Sequence, residues 1–280
     1  MKLFSPNSIL LESSLHSSAH SRNYFFHSPK EILTAHSLEE IPILFARIEH
    51  ALACGMYVAG YFAYECGYHF EEKFAGYIHR DTLPLAWFGV YESSSEYTMQ
   101  EDENVNNDTL ISDFHLLNDE KEYVRSIQQI LKYISEGDTY QINFTNKYLF
   151  ENRDSLSALY HQLRKKQHVS YSAYLHTDTH AILSFSPELF FHRNGNTIIT
   201  KPMKGTAPRG RTLHEDNTIA EWLRNDEKNR SENLMIVDLL RNDLGRICNI
   251  GSVHVPSMFD VEKYDSLFQM TSTVSGTLRE

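Results

Sequence analysis

Short runs of alternating apolar and polar residues, interrupted by helical patterns, most strongly constrain the fold of this chain. Alternation begins at 139–150, and shorter strand patterns follow at 172–176, 180–184, 189–193 and 197–201. Helical patterns occur at 119–136, 154–166, 218–224 and 232–242, and Gly137 can end the first of them. Helices interspersed among runs of strands predict an α+β fold with large antiparallel sheets.

The first part of the chain has a pattern of its own. An amphipathic helix is predicted over 38–54, where Gly55 can stop it, and two buried strands are predicted over 57–64 and 85–91. The polar, acidic stretch 93–113 has little to bury and indicates a linker or long loop. We therefore expect an N-terminal region over 1–92, a linker over 93–113 and a second domain over 114–280.

Composition and charge exclude several classes of protein. The 280-residue chain has a net charge of −11, which disfavours a uniformly basic nucleic-acid surface while allowing a local basic pocket. Its three cysteines lack metal-ligand spacing and favour free thiols in a reducing cytosol. The scattered histidines lack the spacing of a zinc site, and the chain has no apolar stretch of about 18 residues to span a membrane. We expect a cytoplasmic protein that binds neither nucleic acid nor membrane.

Two segments of the second half carry residues suited to chemistry at a strand end. Residues 200–206 read T-K-P-M-K-G-T, and the lysines beside a Gly-Thr pair suit a carboxylate ligand or a nucleophilic lysine. A solvated lysine turn has the same pattern. Residues 186–188 read S-P-E, so that Glu188 would act as an acid or base, or would simply lie in solvent.

A third segment, residues 230–243, is a helical pattern that carries several charges. Its middle is almost wholly apolar, so we expect the helix to be buried and its charges to need partners. The charges predict either an internal ion-pair network or a Mg²⁺ ligand with supporting pairs. They are Glu232, Asp238, Arg241 and Asp243.

These segments, taken in order, resemble the chorismate-utilising enzymes, a family that includes component I of anthranilate synthase, aminodeoxychorismate synthase, and the isochorismate and salicylate synthases. The similar segments are G-D-T-Y-Q-I-N at 137–143, S-F-S-P-E at 184–188, K-P-M-K-G-T at 201–206, 230–246 and 251–253. The resemblance covers about 120–280, and residues 8–13 and 60–65 are similar to the family's N-terminal part. It implies an anthranilate synthase component I-like fold, with large antiparallel sheets packed as a sandwich and surrounded by helices.

Within this family, the branch that forms aminodeoxychorismate for p-aminobenzoate and folate has lysine at the position of Lys204, and the chain resembles that branch. The anthranilate-forming branch usually has alanine there. The resemblance implies that Lys204 adds to the chorismate ring as the 4-hydroxyl departs, and that ammonia from a glutamine amidotransferase subunit then displaces it. Glu188 matches the acidic position that would protonate the leaving hydroxyl. Gly205 and Thr206 match substrate-carboxylate ligands. Glu232 matches a ligand of the Mg²⁺ ion that binds the ring carboxylate.

The chain departs from the family pattern in segments that the family carries further along. The P-x-G-S-[IV]-T-G-A-P-K and G-x-[YF]-x-G-x-[IV]-G segments do not occur here. The chain therefore resembles a member that is truncated at the C-terminus, with an incomplete fold. The alternatives are a non-catalytic fragment of such an enzyme, or a different chorismate reaction that forms anthranilate or isochorismate.

The resemblance also implies an amino-acid pocket near the N-terminus. In this family the pocket takes tryptophan, and its second segment usually has proline where this chain has Ser170. The matching residues are Ser13, His20, Ser21, Arg22, Asn23, Ser170, Tyr171 and Ser172.

Overall fold

The computed structural model describes residues 5–14, 23–77, 83–97, 111–153 and 155–279. The strands, in chain order, are β1 Ser8–Glu12, β2 Tyr24–Phe26, β3 Glu31–Ala35, β4 Tyr57–Phe62, β5 Ala86–Tyr91, β6 Ser95–Glu96, β7 Ile111–Leu116, β8 Tyr148–Asn152, β9 Tyr171–His176, β10 Ala181–Ser186, β11 Leu189–Asn194, β12 Thr197–Lys201, β13 Met203–Pro208, β14 His254–Lys263 and β15 Leu267–Thr277. The helices are α1 Ile41–Ala53, α2 Glu120–Glu136, α3 Leu156–Lys166, α4 Leu213–Asn225 and α5 Glu227–Ile247.

The chain forms two compact units, one made of Met1–Gln100 with Arg164–Glu280 and the other of Glu101–Leu163. The first unit joins distant parts of the sequence because β1 pairs antiparallel with β9, from Ser8 opposite His176 to Glu12 opposite Ser172. This grouping differs from the division into 1–92 and 114–280 that the acidic stretch suggests, and most of that stretch lies outside the described residues.

Within the first unit, one antiparallel sheet has the strand order β10-β9-β1-β2-β6 and another the order β3-β5-β4. Every residue of β5 is buried. On one side of β5, Phe88 and Val90 pack with Leu44 of α1, and on the other side Trp87 packs with Ile9 of β1. The predicted helix over 38–54 and strands over 57–64 and 85–91 are thereby confirmed, with bounds shifted by a few residues.

A further sheet of the same unit carries the candidate site. Strand β15 pairs with β14 along one edge and with β12 and then β13 along the other, while β11 pairs with β12. Helix α5 packs Val237 and Leu244 against Ile198 and Val274, so its buried stripe covers one face of the sheet. The long β14–β15 hairpin runs from His254 to Thr277, beyond the last strand predicted from the sequence pattern.

The second unit contains the helix whose ends were predicted most accurately. Asp119 caps α2 by accepting the Glu122 N–H on Oδ1 at 2.8 Å, and Gly137 ends the helix with a φ of 80°. The strand predicted over 139–150 is wrong for 139–147, since regular pairing begins at β8. Strand β7 pairs with β8 only from Ile111 opposite Asn152 to Leu116 opposite Tyr148. Among the described residues of this unit, the alternating residues 139–147 therefore have no strand to pair with.

Four consecutive strand predictions are confirmed as β9, β10, β11 and β12. The helices predicted at 218–224 and 232–242 are confirmed and are longer, as α4 and α5. The helix predicted at 154–166 is confirmed as α3, and Asp154 lies outside the described residues. With its antiparallel sheets and surrounding helices, the chain has the predicted α+β sandwich fold. Across the described ranges, no helix is long and apolar enough to cross a membrane.

Candidate functional site

The K-G-T part of the lysine segment forms a β-bulge in β13. Met203 lies opposite Thr271 and Thr206 lies opposite Gln269, so Lys204 and Gly205 together face the single residue Met270. Gly205 has a φ of 96°, a conformation that residues with a Cβ rarely adopt. The bulge interrupts the side-chain alternation of the strand at the residue proposed as the nucleophile.

Close packing against α5 is a second reason for glycine at position 205. A Cβ atom on Gly205 would lie 3.2 Å from the Cβ atoms of both Asn229 and Met270. Asn229 lies in the first turn of α5, where its N–H and its Nδ2 both donate to Asp226 Oδ2, at 3.0 Å and 2.8 Å. The bulge therefore lies directly against the start of the helix that carries Glu232.

Buried polar contacts fix α5 to the neighbouring strand. Asn233 is fully buried and accepts a hydrogen bond from Ser272 Oγ at 2.6 Å, while its Nδ2 donates to the Met270 carbonyl at 3.4 Å. Ser272 Oγ in turn accepts the N–H of Phe259 at 3.1 Å. These contacts set the position of α5 relative to the strand that faces the bulge.

The two lysines of the segment have different surroundings. Lys201 forms an ion pair with Glu262 on β14. Lys204 is half-buried and has no ion-pair partner among the residues that the structure describes. Because Lys201 Nζ is held by Glu262, Lys204 is the better placed of the two lysines to act as a nucleophilic amine.

Glu188 lies beside the same segment. Its Oε1 accepts the Met203 N–H at 3.0 Å, and its own N–H donates to Ser186 Oγ at 3.2 Å in a turn that precedes β11. The side chain is exposed, so Oε2 can exchange a proton with a ligand or with water. The structure thus brings Glu188 to the residue that precedes Lys204.

Glu232 lies one turn beyond Asn229 on α5. Its side chain is 34% exposed, and Oε1 is 3.8 Å from Lys228 Nζ. The expectation that this helix is buried is wrong, since Leu239 is 55% exposed. The internal ion-pair network is wrong as well, because Asp238 pairs with Arg241 at 2.9 Å on the exposed surface.

The sequence pattern alone does not reveal the hydrogen-bond acceptor beside Thr206. The exposed Thr206 hydroxyl donates to Gln269 Oε1 at 3.0 Å. Gln269 lies in β15, within the stretch that showed no clear strand pattern, and only the ladder register places it opposite Thr206.

The Glu232 carboxylate on α5 is the only ligand that we assign to the Mg²⁺ ion implied by the family resemblance. Within the described ranges, no group of three or more His, Cys, Asp or Glu side chains could hold a metal ion. Mg²⁺ keeps several waters and often takes only one or two carboxylates, with the substrate supplying other oxygens. The half-exposed Glu232 carboxylate fits as such a single ligand.

The predicted tryptophan pocket is only partly described. The Ser13 N–H donates to Asn23 Oδ1 at 3.1 Å, and neither Ser13 Oγ nor the buried Ser172 Oγ has a hydrogen-bond partner in the described part of the chain. Ser170 and Tyr171 flank the start of β9, where Tyr171 is 41% exposed. His20, Ser21 and Arg22 lie outside the described residues. The pocket stays a prediction.

Comparisons with known proteins point to one family. A family model described as chorismate binding enzyme matches residues 10–280. The chloroplastic aminodeoxychorismate synthase of Arabidopsis thaliana is 43% identical over 161 residues, which are 56% of this chain and 17% of that protein. Aminodeoxychorismate synthase component 1 of Escherichia coli (strain K12) is 37% identical over 187 residues, which are 67% of this chain and 40% of that protein.

A solved structure shows the same fold. Anthranilate synthase component I from Streptococcus pneumoniae TIGR4 superposes with a TM-score of 0.75 and 21% sequence identity, covering 95% of this chain and 71% of that chain. The chain spans less than half the length of the two curated relatives.

Proposed function

Because the chain belongs to the chorismate binding enzyme family, we propose that it forms aminodeoxychorismate from chorismate and ammonia at residues 201–206, here called the lysine turn. The relatives that share 37% and 43% of their aligned residues with it are named aminodeoxychorismate synthases. The observation that carries the proposal is the bulge at Lys204, which adjoins the Glu188–Met203 hydrogen bond and lies against the helix that bears Glu232.

Lys204 supplies the nucleophile in this proposal. Its neutral Nζ forms a C–N bond to the ring while the C4–O bond breaks, so the hydroxyl leaves with the bonding electrons. Ammonia then forms a bond to C4, and the bond to Lys204 breaks with its electron pair returning to Nζ. Two allylic displacements replace one difficult substitution, which is what covalent catalysis contributes.

Glu188 supplies the proton that the leaving hydroxyl takes up to depart as water. Since Oε1 accepts the Met203 N–H, the proton is carried on Oε2, and the hydrogen bond keeps the carboxyl group beside the lysine turn. A positioned general acid of this kind contributes about 10²–10⁴-fold to a rate.

The substrate's carboxylates require further ligands. The backbone at Gly205 and the Thr206 hydroxyl would hold one of them, with the hydroxyl turning from Gln269 toward the ligand. Glu232 would hold a Mg²⁺ ion, which, when bound, supplies positive charge for the ring carboxylate. Glu232 would provide one carboxylate ligand from the first turns of α5.

A second protein would supply the ammonia. The E. coli relative is named component 1, and such a name implies a partner component. We assign this role to a glutamine amidotransferase subunit. We place the reaction in p-aminobenzoate and folate biosynthesis in the cytoplasm.

A direct assay distinguishes this function from the alternatives. The chain is supplied with chorismate, Mg²⁺ and ammonium chloride, the products are separated by chromatography, and chorismate binding is measured by calorimetry. Aminodeoxychorismate that appears only when ammonium is present supports the proposal. Anthranilate or isochorismate as the main product contradicts it. If no product forms, the chain is a non-catalytic fragment, and the calorimetry shows whether that fragment binds chorismate.

A further inference from the structure

A polar cluster next to the lysine turn contains no residue that takes part in the bond-forming steps proposed above. Its centre is Glu262 on β14, which forms the ion pair with Lys201. Tyr264 Oη donates to Glu262 Oε2 at 2.8 Å, and Thr271 Oγ1 donates to Oε1 at 3.2 Å. Thr271 is fully buried and Tyr264 is 7% exposed. Both carboxylate oxygens therefore have donors that are fixed by packing.

Lys201 connects this cluster to the turn. It is the last residue of β12 and lies opposite Leu189 of β11. Pro202 follows and has no N–H to donate to a neighbouring strand. Two contacts therefore hold the start of the turn. Lys201 is bound to Glu262 through its side chain, and the Met203 N–H donates to Glu188.

The surroundings of the pair make its geometry hard to change. Lys201 and Glu262 side chains are only 36% and 26% exposed. Met203, two residues after Lys201, and Tyr264, the donor to Glu262, pack in one apolar cluster with Val169. Removing one partner of a half-buried ion pair leaves the other charge poorly solvated, so the pair resists separation.

We propose that the Lys201–Glu262 ion pair is a positioning pair that sets the location of the Lys204 amine, an inference that rests on the proposed function. Extended backbone advances about 3.3 Å per residue, so the pair lies about 10 Å along the chain from Lys204 and acts through the backbone without touching substrate. Glu262, held by Tyr264 and Thr271, fixes Lys201, and the short segment Lys201–Lys204 then has a fixed start.

Glu262→Gln tests the pair because the amide oxygen can still accept a hydrogen bond while the charge is lost. A displacement of about 1 Å at a reacting group costs up to about 100-fold, so we expect kcat to fall about 10- to 100-fold. The KM for chorismate should change little, since the substrate's ligands are untouched. Lys201→Met should behave like Glu262→Gln, and Lys201→Arg should restore kcat. Glu221→Gln, an exposed carboxylate on α4, is the matched control.

A second readout does not depend on catalysis. Trinitrobenzenesulfonate modifies neutral amines, and peptide mass spectrometry gives the modification rate of each lysine. In the unaltered chain Lys201 should react slowly because its Nζ contacts Glu262 and its side chain is only 36% exposed. In Glu262→Gln the rates of both Lys201 and Lys204 should rise, and in Glu221→Gln they should not.

The two readouts separate the possible failures. If the unaltered chain forms no aminodeoxychorismate, the proposed function fails and the labelling rates alone decide the positioning role. A folded Glu262→Gln variant with unchanged kcat and an unchanged Lys204 labelling rate overturns the inference. If Glu262→Gln does not fold, the comparison of Lys201→Met with Lys201→Arg tests the positioning role instead. Equal kcat and equal Lys204 labelling rates in those two variants would overturn the inference.

Discussion

The Oε1 atom of Glu188 accepts the backbone N–H of Met203 at 3.0 Å, which brings a carboxyl group to the residue that precedes Lys204. The two side chains come from different parts of the sheet, since Glu188 lies in the turn before β11 and Lys204 lies in β13. A carboxyl group and an amine held this close to one turn can divide proton transfer and bond formation between them.

Glu188→Gln tests the proton-transfer role. The amide oxygen can still accept the Met203 N–H, but the side chain has no acidic proton, so kcat should fall by about 10²-fold or more. The melting temperature should stay near that of the unaltered chain. Glu188→Ala, which loses the hydrogen bond as well, should also lower the free energy of unfolding by about 1 kcal/mol. Equal kcat in Glu188→Gln and the unaltered chain would show that Glu188 is no general acid.

Gly205→Ala tests the bulge. A residue with a Cβ in left-handed backbone costs about 1–2 kcal/mol, and the new atom would also crowd Asn229 and Met270 at 3.2 Å. We expect a loss of stability greater than this backbone cost alone, together with reduced activity. Chemical denaturation gives the free energy of unfolding.

Gly195→Ala is the matched control for the bulge. Gly195 has a φ of 57°, and a Cβ there would meet nothing within 4 Å. This variant should show the backbone cost without crowding and should retain activity. A Gly205→Ala variant no less stable than Gly195→Ala would refute the close contact with α5.

Asp216 makes part of the stability dependent on pH. The Arg209 guanidinium, which donates to both carboxylate oxygens at 2.7 Å, holds the pKa of Asp216 well below its ordinary value, and Lys263 and the Gly210 N–H add to the effect. A depressed folded-state pKa gives stability that is present above the unfolded carboxyl pKa of about 4 and is lost as the pH falls below it. Arg209, from the end of β13, thereby stays attached to α4 at neutral pH.

Asp216→Asn should therefore be less stable than the unaltered chain at pH 7, and the difference should shrink as the pH falls from about 5 toward 2. Urea denaturation at a series of pH values measures this. Glu221→Gln, which removes an exposed carboxylate of α4 that lies 3.9 Å from Arg224, should change stability little at any pH. A difference for Asp216→Asn that stays constant with pH would contradict the account.

Glu232→Gln tests the proposed Mg²⁺ ligand. Replacing the carboxylate by a neutral amide should raise the Mg²⁺ concentration needed for half-maximal activity and weaken Mg²⁺ binding in the presence of chorismate, as measured by calorimetry. Asp238→Asn removes a carboxylate from an exposed pair elsewhere on α5 and should change neither quantity. Equal Mg²⁺ affinity in both variants would remove Glu232 from the proposed site.

The sequence predicted elements best where local chemistry defines them. Helix α2 was bounded correctly because Asp119 and Gly137 act within one turn of its ends. Strands β9 and β10 were identified from short strand patterns bounded by turns. Strand β15 was missed because several of its buried residues are polar, including Thr271, Ser272 and Ser275, so its sequence does not show a continuous apolar run.

Contacts between distant segments could not be predicted in this way. The apolar run of α5 suggested a buried helix, whereas its burial is limited to one stripe that includes Val237 and Leu244. At the site, the motif indicated Lys204, Glu188 and Glu232 as candidates. The bulge and the Glu262 contact depend on strand register, which a single sequence does not reveal.

The most direct test of the account is the product formed by Lys204→Ala. The variant and the unaltered chain are each given chorismate, Mg²⁺ and ammonium chloride, and aminodeoxychorismate is quantified by chromatography, with the exposed Lys121→Ala as the control. We expect aminodeoxychorismate from the unaltered chain and from Lys121→Ala, and none from Lys204→Ala, because no side-chain amine remains at position 204 to form the covalent intermediate that ammonia attacks. Aminodeoxychorismate formed by Lys204→Ala at the rate of the unaltered chain would contradict the account.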